Sequence, residues 1–241
     1  MKGVVLAAGD GGRLRPLTLS TPKVLLKLGG RTLIHYSLDA LSSAGISDIA
    51  VVVGHNSEKI LDALKKTHPF LTYIYNQDYA GENAISVYSA RFFVENEPFV
   101  ACMGDHPISP QIVECLLSNA CDSCVLCVDS QAWHTSQVND GTRVQVNSDG
   151  YIDAIGKSLD VWNAIDTGVF KMTSDFFSTV EYLMEKQGID VSITDVVTHM
   201  GSIGKTFATC DVSGMFWADV DTLEDYQSID SLLREKHGQR I

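Results

Sequence analysis

Residues 4–28 read VVLAAGDGGRLRPLTLSTPKVLLKL, a hydrophobic run that leads directly into glycines and cations. The hydrophobic part, residues 4–8, predicts a buried strand. Three glycines follow it: Gly9, Gly11 and Gly12. Because glycine has no Cβ and tolerates a positive φ, backbone N–H groups in such a loop can approach phosphate oxygens closely. With Arg13 and Lys23 just beyond, the segment predicts a polyphosphate-binding loop at the carboxyl end of the first strand.

The charge of the chain is unevenly distributed along its 241 residues. The net charge is −12, yet residues 1–31 hold six Lys or Arg and one Asp, which sum to +5, while the remainder sums to −17. A nucleic-acid binder needs a broad basic face, which this acidic chain does not offer. One basic loop on an acidic body favours a small anionic ligand, and the general acidity also aids solubility.

The composition is that of a folded domain, with 45% hydrophobic and 20% charged residues. A chain of this length can bury a core without disulfides or metals. No apolar run of about 18 residues predicts a membrane span, and the first residues lack a signal-peptide pattern, so we expect a cytoplasmic protein. We expect one domain over residues 1–241, with a nucleotide half over about 1–110 and an acceptor half over about 111–241. Nothing in the sequence indicates an oligomeric state.

Predicted strands and helices alternate along the chain. Strands are predicted over residues 4–8, 49–53, 71–75, 99–103, 124–128, 169–171 and 205–209, with a hairpin of residues 143–147 and 151–155. Helices are predicted over residues 32–44, 56–66, 82–95, 110–119, 174–186, 192–200 and 222–236. This alternation predicts an α/β fold with a Rossmann-like, mostly parallel but mixed sheet flanked by helices. Ligands in such folds bind at the carboxyl ends of the strands.

Three cysteines form the pattern C-x2-C-x2-C: Cys121, Cys124 and Cys127. The spacing is compatible with a zinc or iron–sulfur site. However, the segment also looks like a buried strand, on which Cys124 and Cys127 would point to opposite faces. We therefore favour buried structural cysteines over a metal site.

Two acidic motifs follow predicted strands or close the chain. Asp105 comes directly after the strand 99–103, and Asp219 and Asp221 lie in the late motif WADVDT. Carboxylate groups that converge from distant strands suit Mg²⁺, which prefers oxygen ligands and substrate phosphates. The hypothesis is that Asp105 binds Mg²⁺ together with Asp219 or Asp221, with both late carboxylates as candidates.

The opening loop resembles the signature of nucleotidyltransferases that activate sugar phosphates and polar-head phosphates, L-A-A-G-x-G-[TS]-R-L-x-P-L-T-x-x-x-P-K. The matching positions are Leu6-Ala7-Ala8-Gly9, Gly11, Arg13-Leu14, Pro16-Leu17-Thr18 and Pro22-Lys23. Gly12 departs from the pattern, because that family usually has Thr or Ser there. The resemblance implies a nucleotidyltransferase (GT-A-like) fold, Mg²⁺ as cofactor, and Arg13 and Lys23 as catalytic cations. The nucleotide-binding residues that we expect are Leu6, Ala8, Gly9, Gly11, Gly12, Gln77, Gly81 and Asn83.

Motifs along nearly the whole chain resemble the CTP:inositol-1-phosphate cytidylyltransferases, which are fused to a membrane synthase in some microbes. The motifs are Met103-Gly104-Asp105-His106, residues 155–159 (IGKSL), residues 165–170 (IDTGVF) and residues 217–222 (WADVDT). The resemblance implies transfer of a nucleotide from CTP to inositol 1-phosphate with release of pyrophosphate. The acceptor-binding residues that it implies are Lys157, Asp166, Thr167 and Gly168. Gly156 replaces a Glu that contacts sugar hydroxyls in the related sugar enzymes.

Several alternatives stay open. Within the superfamily, the acceptor could be phosphocholine, an aminoalkylphosphonate or a sugar 1-phosphate, and the residues do not determine the nucleobase. A metal-dependent glycosyltransferase is a different class, because Asp219-Val220-Asp221 also reads as a D-x-D motif. That class leaves Arg13 and Lys23 without a role. A non-catalytic nucleotide-sensing module is the third possibility. The expected partners are a nucleoside triphosphate and a small phosphorylated acceptor.

Overall fold

The computed structural model describes residues 1–132, 137–138 and 140–238. The strands are β1 (Lys2–Ala7), β2 (Lys27–Leu28), β3 (Arg31–Thr32), β4 (Ile49–Val53), β5 (Thr72–Tyr75), β6 (Phe99–Met103), β7 (Val125–Asp129), β8 (Arg143–Val146), β9 (Ile152–Gly156), β10 (Ala164–Met172) and β11 (Ala208–Asp211). The helices are α1 (Leu33–Ser43), α2 (Ser57–Leu64), α3 (Asn83–Ser89), α4 (Arg91–Val94), α5 (Pro110–Ser118), α6 (Ser174–Gln187), α7 (Ile193–Ser202) and α8 (Leu223–Gly238).

A mixed sheet dominates the described part of the chain, in the order β11-β7-β10-β6-β1-β4-β5. The four strands β5, β4, β1 and β6 are parallel, as right-handed βαβ units require. Strand β10 runs antiparallel between β6 and β7, and the hairpin β8–β9 pairs with its beginning. The predicted α/β fold with a mixed sheet flanked by helices is therefore confirmed.

Both faces of the sheet are covered by hydrophobic side chains, as expected for parallel strands flanked by helices. Val4 and Leu6 of β1 belong to the cluster on one face, and Val5 and Ala7 to the cluster on the other. A third and smaller cluster has a different role. It packs Leu14, beside the glycine loop, together with Val220 and helix α8. This packing holds the opening loop against the late acidic motif.

Two predicted elements differ most from the observed ones. The predicted helix 82–95 is two helices, α3 and α4, because the chain departs from helical geometry at Ala90. The strand predicted over residues 169–171 spans Ala164–Met172 in the structure, and its first half escapes the pattern because Asp166 and Thr167 interrupt the hydrophobic run. None of the described helices is both long and apolar enough to cross a membrane.

The sulfur atoms of the C-x2-C-x2-C pattern have separate partners. Cys121 Sγ lies 3.0 Å from the Ser123 hydroxyl, and Cys124 Sγ lies 3.5 Å from the Thr173 hydroxyl. Cys127 is fully buried in β7. The three sulfur atoms therefore do not converge on a common point.

Candidate active site

The carboxyl ends of β1 and β6 lie side by side and bring the glycine loop next to Asp105. The two strands are parallel neighbours, with Leu6 paired to Met103. The Gly104 amide donates to the Leu6 carbonyl oxygen at 2.9 Å. A Cβ at Gly104 would lie 2.6 Å from that oxygen, so the close approach requires glycine.

The glycine loop packs directly against the side chain of Lys23. Gly11 has a φ of 65°, and a Cβ there would lie 2.8 Å from Lys23 Cβ. The Thr18 hydroxyl donates to the Gly11 carbonyl at 2.8 Å and fixes this conformation. The Gly12 amide donates to the Asp10 carboxylate at 3.1 Å, so this backbone group is satisfied without a hydroxyl at position 12.

We expect Gly11→Ala to lower the free energy of unfolding by about 1–2 kcal/mol, because alanine pays for the left-handed conformation and must also displace Lys23. Thermal or urea unfolding measures this loss. Gly9→Ala is the matched control, since its Cβ would meet no atom within 4 Å and its φ is not positive. Equal stability losses in the two variants would contradict the packing argument.

A cluster of charged side chains lies at the mouth of the loop. Lys23 Nζ lies 2.5 Å from Asp105 Oδ2 and 2.7 Å from Asp221 Oδ1, and Arg13 Nη2 lies 2.5 Å from Asp221 Oδ2. Lys23 is only 9% exposed. Burial opposes its charge, but Asp105, Asp221 and Asp219 raise the pKa of Lys23 above its usual value. Lys23 is therefore a fixed cation at neutral pH.

His106 is held between an acid and a backbone carbonyl. Its Nδ1 lies 3.0 Å from the Thr167 carbonyl oxygen, and its Nε2 lies 3.3 Å from Asp219 Oδ1. Burial disfavours the charged ring, but Asp219 and Asp105 raise the pKa of His106 to about 10. Conversely, burial disfavours ionised Asp219, while His106 and Lys23 keep the pKa of Asp219 below its usual value. The protonated imidazole has no lone pair with which to act as a general base.

The carboxylates differ in what they leave free for a metal ion. Asp219 Oδ1 is buried and faces protonated His106 at 3.3 Å, an ion pair without hydrogen-bond geometry, and Asp105 places its Oδ2 2.5 Å from Lys23 Nζ. Asp105 lies close enough to Asp219 to interact with it electrostatically. Both oxygens of Asp221 instead contact Lys23 and Arg13.

This donor set fits Mg²⁺, which commonly binds one or two carboxylates, substrate phosphates and water rather than a complete protein cage. No group of three or more His, Cys, Asp or Glu side chains arranged for a metal occurs in the described residues. Because Asp105 and Asp219 each have one oxygen in contact with a cation and Asp221 has both, Asp105 and Asp219 are the better candidate pair of ligands, and Asp221 fits a role in orienting the cations.

Two cavities meet at the charged cluster. The larger, of about 480 Å³, opens along the glycine loop, and the smaller, of about 200 Å³, extends toward β10. The walls that they share are formed by Arg13, Asn83, Met103, Asp105 and Asp221. A reaction between two ligands, one in each cavity, would therefore take place beside Arg13, Lys23 and the carboxylates.

Most of the predicted nucleotide-binding residues line the larger cavity. They are Leu6, Ala8, Gly9, Gly11, Gly12, Gly81 and Asn83. Gln77 does not line it and is exposed. The wall of the larger cavity also contains Tyr79, Glu82 and Ser86, which were not predicted from the sequence. The buried Asn76 donates to the Ser86 hydroxyl at 3.1 Å and so orients one polar group of this wall.

Three of the four predicted acceptor residues line the smaller cavity: Lys157, Asp166 and Gly168. Thr167 does not, because neighbouring side chains on a strand point to opposite faces, and its buried hydroxyl donates to the Cys127 carbonyl at 2.9 Å. Asp140, Thr142 and Thr194 also line this cavity and were not predicted from the sequence. No motif marks these three residues.

Asp166 is the most perturbed carboxylate of the smaller cavity outside the charged cluster. Burial raises the pKa of Asp166 to about 6, against the opposing hydrogen bond from the Gly168 amide at 2.7 Å. Gly168 has a φ of 77°, and a Cβ there would lie 2.5 Å from His106 Nδ1. Glycine at this position therefore lets β10 approach the imidazole and form one wall of the cavity.

Comparison with known proteins points to one family. The profile described as "MobA-like NTP transferase domain" matches residues 3–148, more than half of the chain. A solved structure described as the inositol-1-phosphate CTP transferase from T. maritima superposes with a TM-score of 0.86 at 26% identity, covering 98% of this chain and 96% of that one.

Two curated relatives are similar over most of this chain. The "Bifunctional IPC transferase and DIPP synthase" of Aquifex aeolicus is 33% identical over 227 residues, which are 93% of this chain and 50% of that protein. The "CTP:phosphoglutamine cytidylyltransferase" of Campylobacter jejuni is 28% identical over 205 residues, which are 79% of this chain and 80% of that protein. This chain thus spans about half the length of the bifunctional relative.

Proposed function

Because the chain belongs to the MobA-like NTP transferase domain family, we propose that it is a cytidylyltransferase that transfers the cytidylyl group of CTP to inositol 1-phosphate. Pyrophosphate would be the second product, and Mg²⁺ the cofactor. The observation that carries the proposal is the meeting of two cavities at Arg13, Asp105 and Asp221. A transferase of this kind needs separate sites for donor and acceptor, with cations where they meet.

The larger cavity suits the nucleoside triphosphate. The glycine loop supplies backbone amides along one wall, and the Arg13 side chain remains 60% exposed despite its contact with Asp221. Arg13 can therefore contact phosphate oxygens in a bidentate manner without losing all contact with its carboxylate partner. Tyr79, Glu82 and Ser86 supply an aromatic ring and polar groups for a base or a ribose.

The smaller cavity suits a phosphorylated polyol. Lys157 is an exposed cation that can contact the phosphate group. Asp140, Asp166 and Thr142 supply oxygen atoms that can accept hydrogen bonds from ring hydroxyls. Support for CTP and inositol 1-phosphate in particular comes from the names of the T. maritima structure and the bifunctional relative.

In the reaction that we propose, an oxygen of the acceptor phosphate attacks the α-phosphorus of the triphosphate in line, and pyrophosphate leaves. A phosphate monoester is mostly dianionic at pH 7, so the attack needs no general base. Lys23 would neutralise charge near the α-phosphate, and Arg13 would stabilise the departing phosphates. A divalent cation bound by Asp105 and Asp219 would supply further charge neutralisation between the two substrates.

The test is a pyrophosphate-release screen that crosses CTP, UTP, ATP, GTP and dTTP with the possible acceptors. These are inositol 1-phosphate, phosphocholine, an aminoalkylphosphonate and glucose 1-phosphate. We expect the highest kcat/KM for CTP with inositol 1-phosphate. A clear preference for another pair would reject this substrate assignment, and no release with any pair would favour a non-catalytic sensing module.

A different acceptor for the same cytidylyltransferase chemistry is the main alternative. The relative named for phosphoglutamine aligns with 80% of its own length, so acceptors other than polyols belong in the screen. The glycosyltransferase alternative has less support, because both Asp221 oxygens of the D-x-D motif contact cations. Sugar transfer from a nucleotide sugar without pyrophosphate release would favour it.

Replacing Lys157 with alanine is expected to raise the KM for the acceptor about tenfold or more, because a charge-assisted hydrogen bond to the phosphate is lost. The KM for the triphosphate should change little, since Lys157 lines only the smaller cavity. Lys66→Ala is the control, as Lys66 is also exposed but lines neither cavity. A larger change in the KM for the triphosphate than for the acceptor would contradict this assignment.

A further inference from the structure

Three cysteines from different elements meet at one face of the sheet. Cys115 Sγ on α5 lies 3.2 Å from Cys210 Sγ on β11, and Cys127 on β7 is in register with Cys210 on the neighbouring parallel strand. All three belong to or pack against the same hydrophobic cluster. All are free thiols. Cys127 thus makes a cluster with cysteines outside the C-x2-C-x2-C pattern.

We propose that Cys115 and Cys210 form a reversible disulfide, which makes the pair an oxidation site linked to the candidate active site. The separation of 3.2 Å exceeds an S–S bond of about 2.05 Å by only about 1 Å. Cys127 is a poorer partner, because it is fully buried whereas Cys115 is partly exposed, so an oxidant has less access to a Cys127–Cys210 pair.

The two thiols have complementary reactivity. Hydrogen bonds from Cys127 and Cys115, with burial opposing, lower the pKa of Cys210 to about 6. Burial raises the pKa of Cys115 to about 11. Cys210 is therefore the better thiolate nucleophile at neutral pH, and Cys115 is the thiol that would react in a second step. Cys210 is buried, with 7% of its surface exposed, and Cys115 is partly exposed, so the oxidant must be as small as a peroxide.

The chemistry balances with a peroxide as oxidant. The Cys210 thiolate attacks one peroxide oxygen, the O–O bond breaks, and Cys210 becomes a sulfenic acid as one water forms with protons from the medium. The Cys115 sulfur then attacks the Cys210 sulfur, forming the S–S bond and releasing the sulfenic oxygen as a second water. The two sulfurs lose two electrons in total, which the peroxide accepts. A dithiol reductant reverses the bond by exchange.

The pair connects the two segments that carry the proposed metal ligands, and these segments also contact each other closer to the site. The Ser109 amide donates to the Phe216 carbonyl at 2.8 Å, and the Ala218 amide donates to the Pro107 carbonyl at 3.0 Å. The first segment runs from Asp105 into α5, and the second from β11 to Asp219. A disulfide between α5 and β11 would therefore shift these two segments relative to each other and change the positions of Asp105 and Asp219.

The experiment treats the full chain with hydrogen peroxide and then maps peptides by mass spectrometry without reduction. We expect a peptide that links Cys115 to Cys210, lost on addition of dithiothreitol. Cys115→Ser and Cys210→Ser should each abolish the link. Cys121→Ser, which removes a partly exposed thiol in contact with Ser123, is the matched control and should retain it. A link through Cys127 instead, or no link, overturns the proposal.

A rate measurement tests the connection to the active site and rests on the proposed function. Because misplacing reacting groups by about 1 Å is costly, we expect oxidation to lower kcat for pyrophosphate release at least about threefold. Dithiothreitol should restore the rate, and Cys115→Ser should remove the sensitivity. An unchanged rate in protein that carries the disulfide would overturn the connection. Failure of the proposed function is seen separately, as absence of pyrophosphate release from the reduced protein.

Discussion

Lys23→Ala is expected to lower kcat/KM for nucleotidyl transfer by about 10²–10³-fold, the loss typical of removing one preorganised group that stabilises charge in a transition state. The ammonium group is buried and held by Asp105 and Asp221 at 2.5 and 2.7 Å. It is thus already positioned where charge would develop, and water cannot replace it without reorganising both carboxylates. Initial rates of pyrophosphate release with saturating metal measure the effect.

The fold of this variant must be checked, because removing Lys23 leaves two carboxylates with less compensation, and breaking a buried ion pair is destabilising. Circular dichroism and the melting temperature identify the temperature range in which the variant is folded, and the rates are compared within that range. Lys59→Ala is the matched control, since Lys59 donates to the Ser20 carbonyl at an exposed site and lines neither cavity. A loss of less than tenfold for Lys23→Ala would withdraw its catalytic assignment.

The sheet could be predicted from the sequence because its signals are local. The strands 4–8, 49–53 and 99–103 are short runs of apolar residues bounded by polar or glycine residues, and they correspond to β1, β4 and β6. Their parallel pairing follows from the intervening helices. The length of strand β10 was harder to predict, because two of its residues are polar. Asp166 lines the smaller cavity, and the Thr167 hydroxyl donates to the buried Cys127 carbonyl.

The glycine loop was predictable in the same way, since glycines and cations at fixed spacing are local information. The smaller cavity was less predictable. Asp140 and Thr194 are distant in sequence, carry no motif, and become neighbours only because the sheet brings their segments to one edge. Gln77 was predicted to bind the nucleotide, but its side chain is exposed. The neighbouring Asn76 is buried instead and donates a hydrogen bond to Ser86.

The sequence could not distinguish the roles of the three aspartates, because those roles depend on which side-chain atoms lie close together in the fold. Asp219 and Asp221 are two residues apart and equally suited to Mg²⁺ as residue types. Only the geometry distinguishes them: Asp221 gives both oxygens to Arg13 and Lys23, while one buried oxygen of Asp219 lacks a hydrogen bond. We therefore expect the two residues to have separable roles, which kinetics can resolve.

Asp219→Asn is expected to raise the Mg²⁺ concentration that gives half-maximal activity by at least about 10–100-fold, since even partners of metal ligands have effects of that size. Asparagine keeps the size of the side chain but removes the charge that a divalent cation prefers. Asp221→Asn is the matched variant two residues away. It should lower kcat through misplaced Lys23 and Arg13, with little change in the Mg²⁺ requirement. Rates measured across a Mg²⁺ titration of each variant separate these effects.

The two Mg²⁺ titrations could also contradict this assignment of the metal ligands. If Asp221→Asn shifts the Mg²⁺ titration and Asp219→Asn does not, then Asp221 is the metal ligand and its contacts with Arg13 and Lys23 must open when substrate binds. Asp105→Asn should resemble Asp219→Asn in its Mg²⁺ requirement, and it should also weaken the hold on Lys23, because Asp105 contacts that ammonium directly. Its kcat at saturating Mg²⁺ should therefore remain below that of the wild type. Recovery of the full rate at high Mg²⁺ would mean that Asp105 serves the metal alone.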